Sequence, residues 1–367
     1  MAIGQASQSV VAKAAGVSQT AVSLALRNHP SIPEATRERI KAIAEQVGYR
    51  PNPYIAALMK QVRRRRRVIE RPTIAYVTSH LEKDGWRKRG IFRRYFEGAS
   101  KRATELGYKL EEFWLKEPGM NGERLGKIFW TRSIDGAILA PLPHGRGHVH
   151  MQWDRIAAAT INFSVVRPNL HRAANHQMQS LSMAVRRLVK MGYGRIGLAM
   201  PMESDARADH NWAASFLFHQ EQMSSEQKWP MLVTEAWHEA AFAEWCRLRR
   251  PEVVISTDSR VVHWLGRMGL RIPTDVGFVC LEWGEDESEY TGIRQNARLV
   301  GAAAVDLVVE QLEHNERGLP DHPKTVLIGG DWVDGETVID RTTCKGHGDD
   351  AGRMRAGPMA AGQPVVS

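Results

Sequence analysis

Cysteine is scarce in this chain: three residues in 367, Cys246, Cys280 and Cys344, far apart and with no CxxC pair. A disulfide framework and a zinc-finger ligand set are thereby disfavoured. No apolar run reaches membrane-spanning length, so a membrane partner is not expected. The stretch MAIGQASQSVV lacks a charged start followed by an apolar segment, so it does not read as a secretion signal and a cytoplasmic location is expected. No GxSxG, HExxH or Walker pattern occurs, which leaves an enzyme reading without a motif and calls for no cofactor. Gly192, Gly194 and Gly197 do form a literal GxGxxG. A dinucleotide site needs a strand before the glycines and a helix after them, and here the order is reversed. His144, His148 and His150 have no cysteine or carboxylate close in sequence and read as a surface loop rather than a metal site.

What is present is more informative. Hydrophobic residues make up 43% of the chain, enough for packed cores, and 367 residues exceed one ordinary core, so two or three domains are expected. Net charge is +9, and it is unevenly placed. Residues 1–71 carry 13 Lys/Arg against 4 acidic residues, while the remainder balances 37 against 37. All excess positive charge therefore lies in the first fifth of the chain. That is the footprint of a polyanion binder or of a solvated basic arm, and charge alone does not separate the two.

Helix grammar does. SVVAKAA (9–15) has helix-forming composition, and Gly16 allows the left-handed turn that ends it. Ser18 is a good N-cap for a second helix from Gln19 to about Leu26. Ala12, Ala15, Val17, Val22 and Leu26 supply a small inner face. Asn28-His29-Pro30 breaks the chain, Pro33 fits the first turn of a third helix, and Ile40, Ile43, Ala44 and Val47 fall on one stripe up to Gly48. Three short helices with a tight entry to the second make a helix-turn-helix domain.

The wording VAKAAGVSQTAVSLAL followed by PEATRERIKAIAEQVGYRPNP closely resembles the LacI/GalR family of bacterial repressors over about fifty residues. The resemblance places the second helix in the major groove of double-stranded DNA, with Gln19, Thr20 and Leu24 reading bases. Gln19 offers a bidentate amide to adenine, and Leu24 touches only apolar edges such as a thymine methyl. Ser18, Ser23, Arg27, Thr36 and Asn52 are placed to hold phosphates, which fixes register rather than sequence. Ser18 and Ser23 read equally as a cap and a surface hydroxyl. Residues 49–59 look like the family's hinge helix, with Pro53 at its first position. Leu58 falls where the family wedges a leucine into the minor groove; packing against a dimer mate is the other reading, and both can hold at once. Arg63 to Arg67 follow, with Arg63, Arg64 and Arg65 nearest the hinge; they serve as further phosphate contacts or as a self-repelling linker, the former favoured.

From Pro72 the texture alternates strand and helix. Strands are expected at 73–79, 108–115, 134–141, 195–200, 231–236, 253–257 and 276–281, with helices at 91–107, 176–191, 207–222 and 259–268. Such alternation makes parallel sheets covered by helices. The phrases SIDGAILAP, LVKMGYGRIGLAM and GLRIPTDVGFVCLEW resemble the same family's periplasmic-binding-protein-like sensor, more loosely, across most of 72–335. Ligands of open α/β folds sit beyond the carboxyl ends of strands. That rule selects Thr78, Ser79, His80, Asn162, Asp258, Glu282 and Trp283 as effector-binding candidates. Asp258 is a ligand contact or a helix N-cap, and Trp283 stacks on a sugar or fills a core gap. In ESDARADHNWAASF the family's usual arginine–glycine–aromatic order is disturbed by His210, Asn211 and Trp212, so no standard sugar pose carries over.

The expected architecture is therefore α/β: a helix-turn-helix domain with hinge helix (1–60), a basic linker (61–71), a two-lobed sensor with parallel sheets (72–342), and a Gly/Ala/Pro-rich tail (343–367) expected to be disordered. The expected function is a sequence-specific transcription regulator, a homodimer on a near-palindromic operator, tuned by a small-molecule effector with sugars among the candidates. The alternative is a small-molecule-processing enzyme or a solute-binding protein carrying a DNA-binding module.

Overall fold

The computed structural model describes residues 8–49, 71–143, 145–222 and 228–342. The hinge (with Asn52 and Leu58), the arginine run and the 343–367 tail lie outside the described residues.

Three helices form the N-terminal unit: α1 (Gln8–Ala15), α2 (Gln19–Leu26) and α3 (Glu34–Gln46). Gly16, at φ 67°, makes the turn between the first two. Ser18 then caps α2, its hydroxyl accepting from the Ala21 N–H at 3.1 Å. Val11, Ala12, Ala15, Val22, Ala25, Ile40 and Ala44 close a core of its own. Ala25 takes the fully buried place expected of Leu26, which packs at the margin.

The rest of the described chain builds two six-stranded sheets and one short two-stranded pair, Gly147–His148 with Val165–Arg167. The first-lobe sheet contains β1 (Thr73–Thr78), β2 (Lys109–Trp114), β3 (Gly136–Leu139), β4 (Ala157–Ile161) and β5 (His171–Asn175). The second-lobe sheet contains β6 (Ile196–Pro201), β7 (Met231–Thr234), β8 (Val253–Ser256), β9 (Gly277–Trp283) and β10 (Gly292–Arg294). Two late strands divide between them: β11 (Thr325–Ile328) joins the first, and β12 (Asp331–Val333) joins the second. The orders are β11-β5-β4-β3-β1-β2 and β12-β10-β9-β8-β6-β7. Every pairing is parallel except β10 with β12. Parallel strands need covering on both faces. Accordingly β1, β3 and β4 are buried almost throughout, and each lobe has an apolar cluster on either side of its sheet.

Helices α4 (Gly90–Glu105), α5 (Gly122–Thr131), α6 (Gln177–Lys190), α7 (Met202–Arg207), α8 (Asn211–Glu221), α9 (Glu239–Arg249), α10 (Arg260–Arg267) and α11 (Ala297–His314) supply that covering. The chain passes between lobes three times, at 175–177, 295–297 and 328–331. Helix α11 therefore returns to the first lobe, where it crosses α4 at two glycines. A Cβ on Gly98 would lie 1.9 Å from the Arg298 carbonyl oxygen, and one on Gly301 1.9 Å from that of Tyr95. Only glycine admits so close an approach.

The helix expected over 207–222 begins only at Asn211, as α8, and the separate short α7 ends at Arg207 before it. Asp209 and His210 between them adopt φ of 55° and 60°. The Asp205 carboxylate stabilises the break, accepting from the Ala213 N–H at 3.0 Å and pairing with His210 Nδ1 at 2.9 Å.

Candidate functional site

Two sites stand out. On α2, Gln19, Thr20, Ser23, Leu24 and Arg27 share the stripe opposite the buried Val22 and Ala25. Gln19, Thr20 and Arg27 are exposed, Ser23 and Leu24 half-buried. Arg27 donates from Nε to the Ser23 carbonyl at 3.0 Å and from Nη2 to the Ser23 hydroxyl, which holds its guanidinium along the helix. Ser18 is exposed and already serves as the cap, and Thr36 is half-buried on α3. A short helix of neutral hydrogen-bonding tips, flanked by positive charge, has the form of a major-groove reader.

The second site is the cleft where the carboxyl ends of the two sheets meet, closed down to a cavity of about 30 Å³. Helix α4 contributes Ile91, Phe92 and Tyr95; the loops beyond β3 and β4 contribute Pro141, Asn162 and Ser164. The second lobe adds Ser204, Arg207, Ala208, Trp212 and Glu282, and the crossings add Asn175, Gln177 and Gln295. Phe92 and Trp212 offer apolar faces, and Arg207 and Glu282 offer charge.

Hydrogen bonds knit the floor. Tyr95 donates to Asn175 Oδ1, and Asn162 Nδ2 donates to the Tyr95 hydroxyl at 2.7 Å. Asn175 Nδ2 reaches the Gln295 carbonyl, and Gln295 Nε2 reaches the Leu281 carbonyl at 2.6 Å, so two interlobe crossings are laced together. Burial holds the Tyr95 phenol well above its ordinary pKa, so it stays neutral. Gln295 is 3% exposed and its Oε1 has no hydrogen-bond partner among the described residues. It is an acceptor awaiting a donor. Arg207 is 8% exposed, held by Glu203 at 2.6 Å and Ser204 at 3.3 Å. Burial pulls its pKa down, and Arg89 nearby adds to the shift. Arg89 itself bridges to Glu282 at 2.8 Å across the lobes, and Glu282 raises its pKa.

Of the sequence-selected effector residues, the cleft brings together Asn162 and Glu282. Ser79 is half-buried and His80 is buried against Phe92, with ring centroids 5.8 Å apart; neither lines the cleft. Trp283 is buried, with the Arg294 guanidinium 5.0 Å from its ring. Asp258 accepts from Trp237 Nε1 at 2.7 Å, from the Arg260 backbone at 3.0 Å, and from the Arg260 guanidinium. Burial pushes the Asp258 carboxyl up, but those hydrogen bonds outweigh burial and hold it below the usual range. Sequence reading missed Phe92, Tyr95, Arg207 and Gln295. Arg207 was within reach, as the arginine nearest the disturbed family pattern. Gln295 carries no sequence signal, because it is selected only by where the chain crosses lobes.

Comparison with known proteins agrees with both halves. Residues 10–52 match the model for bacterial regulatory proteins of the lacI family, and residues 185–338 match the periplasmic binding protein-like domain. The HTH-type transcriptional regulator reg1 of Streptomyces lividans is 23% identical over 327 residues, 82% of this chain and 89% of that protein. The lac repressor dimer bound to operator and the anti-inducer ONPF superposes with a TM-score of 0.53 at 17% identity, covering 91% of this chain and 99% of that one. The regulator CelR in complex with cellobiose gives 0.54 at 18%, covering 91% and 100%. The reader, over residues 10–52, is thus a lacI-family regulatory domain, and the remainder carries the periplasmic-binding-protein-like fold on which the matched transcription regulators are built.

Proposed function

We propose that the protein is a homodimeric repressor that reads a near-palindromic operator through Gln19, Thr20 and Leu24, and whose operator affinity is set by a small polyhydroxylated effector, a sugar or close analogue, held between the sensor lobes. The observation that carries the effector reading is the chemistry of the cleft. A free acceptor at Gln295, donors at Arg207, a carboxylate at Glu282 and the faces of Phe92 and Trp212 suit a compact ligand with several hydroxyls and one apolar face. The relatives caught with cellobiose and glucose support the sugar class. Asn52, Leu58 and Arg63 to Arg65, which fall outside the described residues, complete the proposed DNA contacts at the backbone and the minor groove.

Effector binding changes the angle between lobes, and the hinge before Arg71 transmits that change to the paired readers. No catalytic role is proposed for the cleft. Selection of bound sequences from random DNA, with and without a panel of sugars and nucleosides, tests the whole reading. A palindromic consensus whose enrichment responds to one sugar is expected. Enrichment of no consensus would overturn the reader. Turnover of the ligand that raises thermal stability would turn the assignment to an enzyme.

A further inference from the structure

The side of the cleft at α4 has a uniform polarity. Arg89, Arg93 and Arg94, at and just inside the start of α4, and Arg298 at the start of α11 all belong to the first lobe. Opposite them in the second lobe runs the segment 282–287, whose sequence is EWGEDE. Arg89 meets Glu282 at 2.8 Å, Arg93 meets Asp286 at 3.3 Å, and Arg298 meets Glu285 at 3.1 Å. The Arg94 guanidinium rests against Gly284, where a Cβ would lie 2.8 Å from its Nη1. Arg146 and Asp209 add another interlobe pair of the same polarity at 2.9 Å. In each of these pairs the first lobe gives the cation and the second the anion.

One exposed pair of this kind stabilises only slightly. The arrangement is more than a count of pairs. Three arginines within six residues repel one another when the lobes part, as do three carboxylates within five, and closure relieves both strips at once. We propose that the α4 arginine strip and the acidic segment 282–286 form an electrostatic latch that favours closure of the cleft and releases as ionic strength rises. This rests on the sensor reading only for its consequence, which is that effector affinity and operator occupancy respond to salt through the sensor as well as through DNA phosphates.

The latch needs no effector for its test. The full-length chain carries dyes at Lys127→Cys on α5 and Glu244→Cys on α9; Cys246 and Cys280 are buried, and Cys344 is replaced by serine. Labelled protomers are diluted into an excess of unlabelled protein, and energy transfer is followed from 0.01 M to 1 M NaCl. Over that range the screening length falls from about 30 Å to about 3 Å. Transfer is expected to fall with salt in the parent. It is expected to sit at the high-salt level throughout in Glu285→Lys/Asp286→Lys, and to regain its salt response when Arg93→Glu/Arg298→Glu is added. Transfer that ignores salt in the parent, or a double-lysine protein that tracks the parent, overturns the latch. Asp286→Lys alone replaces the double variant if far-UV circular dichroism shows a loss of fold, and the same two outcomes decide.

Discussion

Gly301→Ala sets two effects of opposite sign against each other. Alanine in a helix interior is favoured over glycine by about 1 kcal/mol, so local propensity alone raises stability. The crossing of α4 and α11 opposes that. The new methyl would sit 1.9 Å from the Tyr95 carbonyl oxygen, 2.8 Å from its carbon and 2.9 Å from the Ala99 nitrogen. All three are backbone atoms, so no rotamer change makes room and one helix must move by more than an ångström. Overpacking costs about 1–3 kcal/mol where side chains yield, and a rigid partner places this site at the upper end. The net expectation is a loss of about 2 kcal/mol, a fall of roughly 4–8 °C in the thermal midpoint for a unit of this size. Movement of α4 also carries Tyr95 away from Asn162 and Asn175, so effector affinity should drop with stability. Differential scanning calorimetry of the full chain supplies the measurement. An unchanged or raised midpoint would refute the close crossing, because propensity would then have acted unopposed.

Asp258→Asn tests whether that carboxylate is structural. Its folded pKa lies below the unfolded value, so its contribution is full above the unfolded pKa, near 4, and is lost as pH falls through the folded one. The variant should be less stable than the parent by about 1–3 kcal/mol at pH 7, with the difference shrinking below pH 4 in thermal melts, while effector affinity holds. Arg207→Ala should weaken effector binding by about 10- to 100-fold by calorimetry with little change in operator affinity in the absence of effector, and an undiminished affinity would remove Arg207 from the ligand. Gln19→Ala should cost about 1–3 kcal/mol on the selected operator and relax preference at one base pair per half-site; a uniform loss across sequences would reassign Gln19 to the backbone.

How much of this was legible in sequence depended on whether the cause was local. Ser18 capping α2 and Gly16 turning before it are effects of neighbours along the chain, and both were readable. Strands such as Val253–Ser256 and Gly277–Trp283 announce themselves as β-rich apolar runs. The break at Asp209 and His210 was not readable, because the hydrogen-bonding roles of Asp205 belong to the folded turn rather than to a propensity. Helix α11 was overlooked because it is buried on most sides, and GAAAVDLVV shows no single stripe. The cleft divides in the same way. Asn162 and Glu282 follow strands and obey the carboxyl-end rule, whereas Tyr95 and Gln295 reach the cleft only through the packing of α4 and the second crossing.

The three crossings also bear on how the molecule comes into being. The second lobe up to β10 is one unbroken stretch, but the first is completed only when α11 and β11 arrive from beyond residue 297. While a ribosome is still making the second lobe, the first lacks the helix that supplies Val300, Ala304, Val305 and Val308 to its core. One sheet face then has α4 alone to cover it, and the β5 edge has no β11 beside it. The reader, closed on its own core by Tyr49, has no such wait. A nascent chain therefore holds a finished DNA-binding unit well before it holds a finished sensor, and the late return of α11 is the event that makes the regulator answerable to its effector.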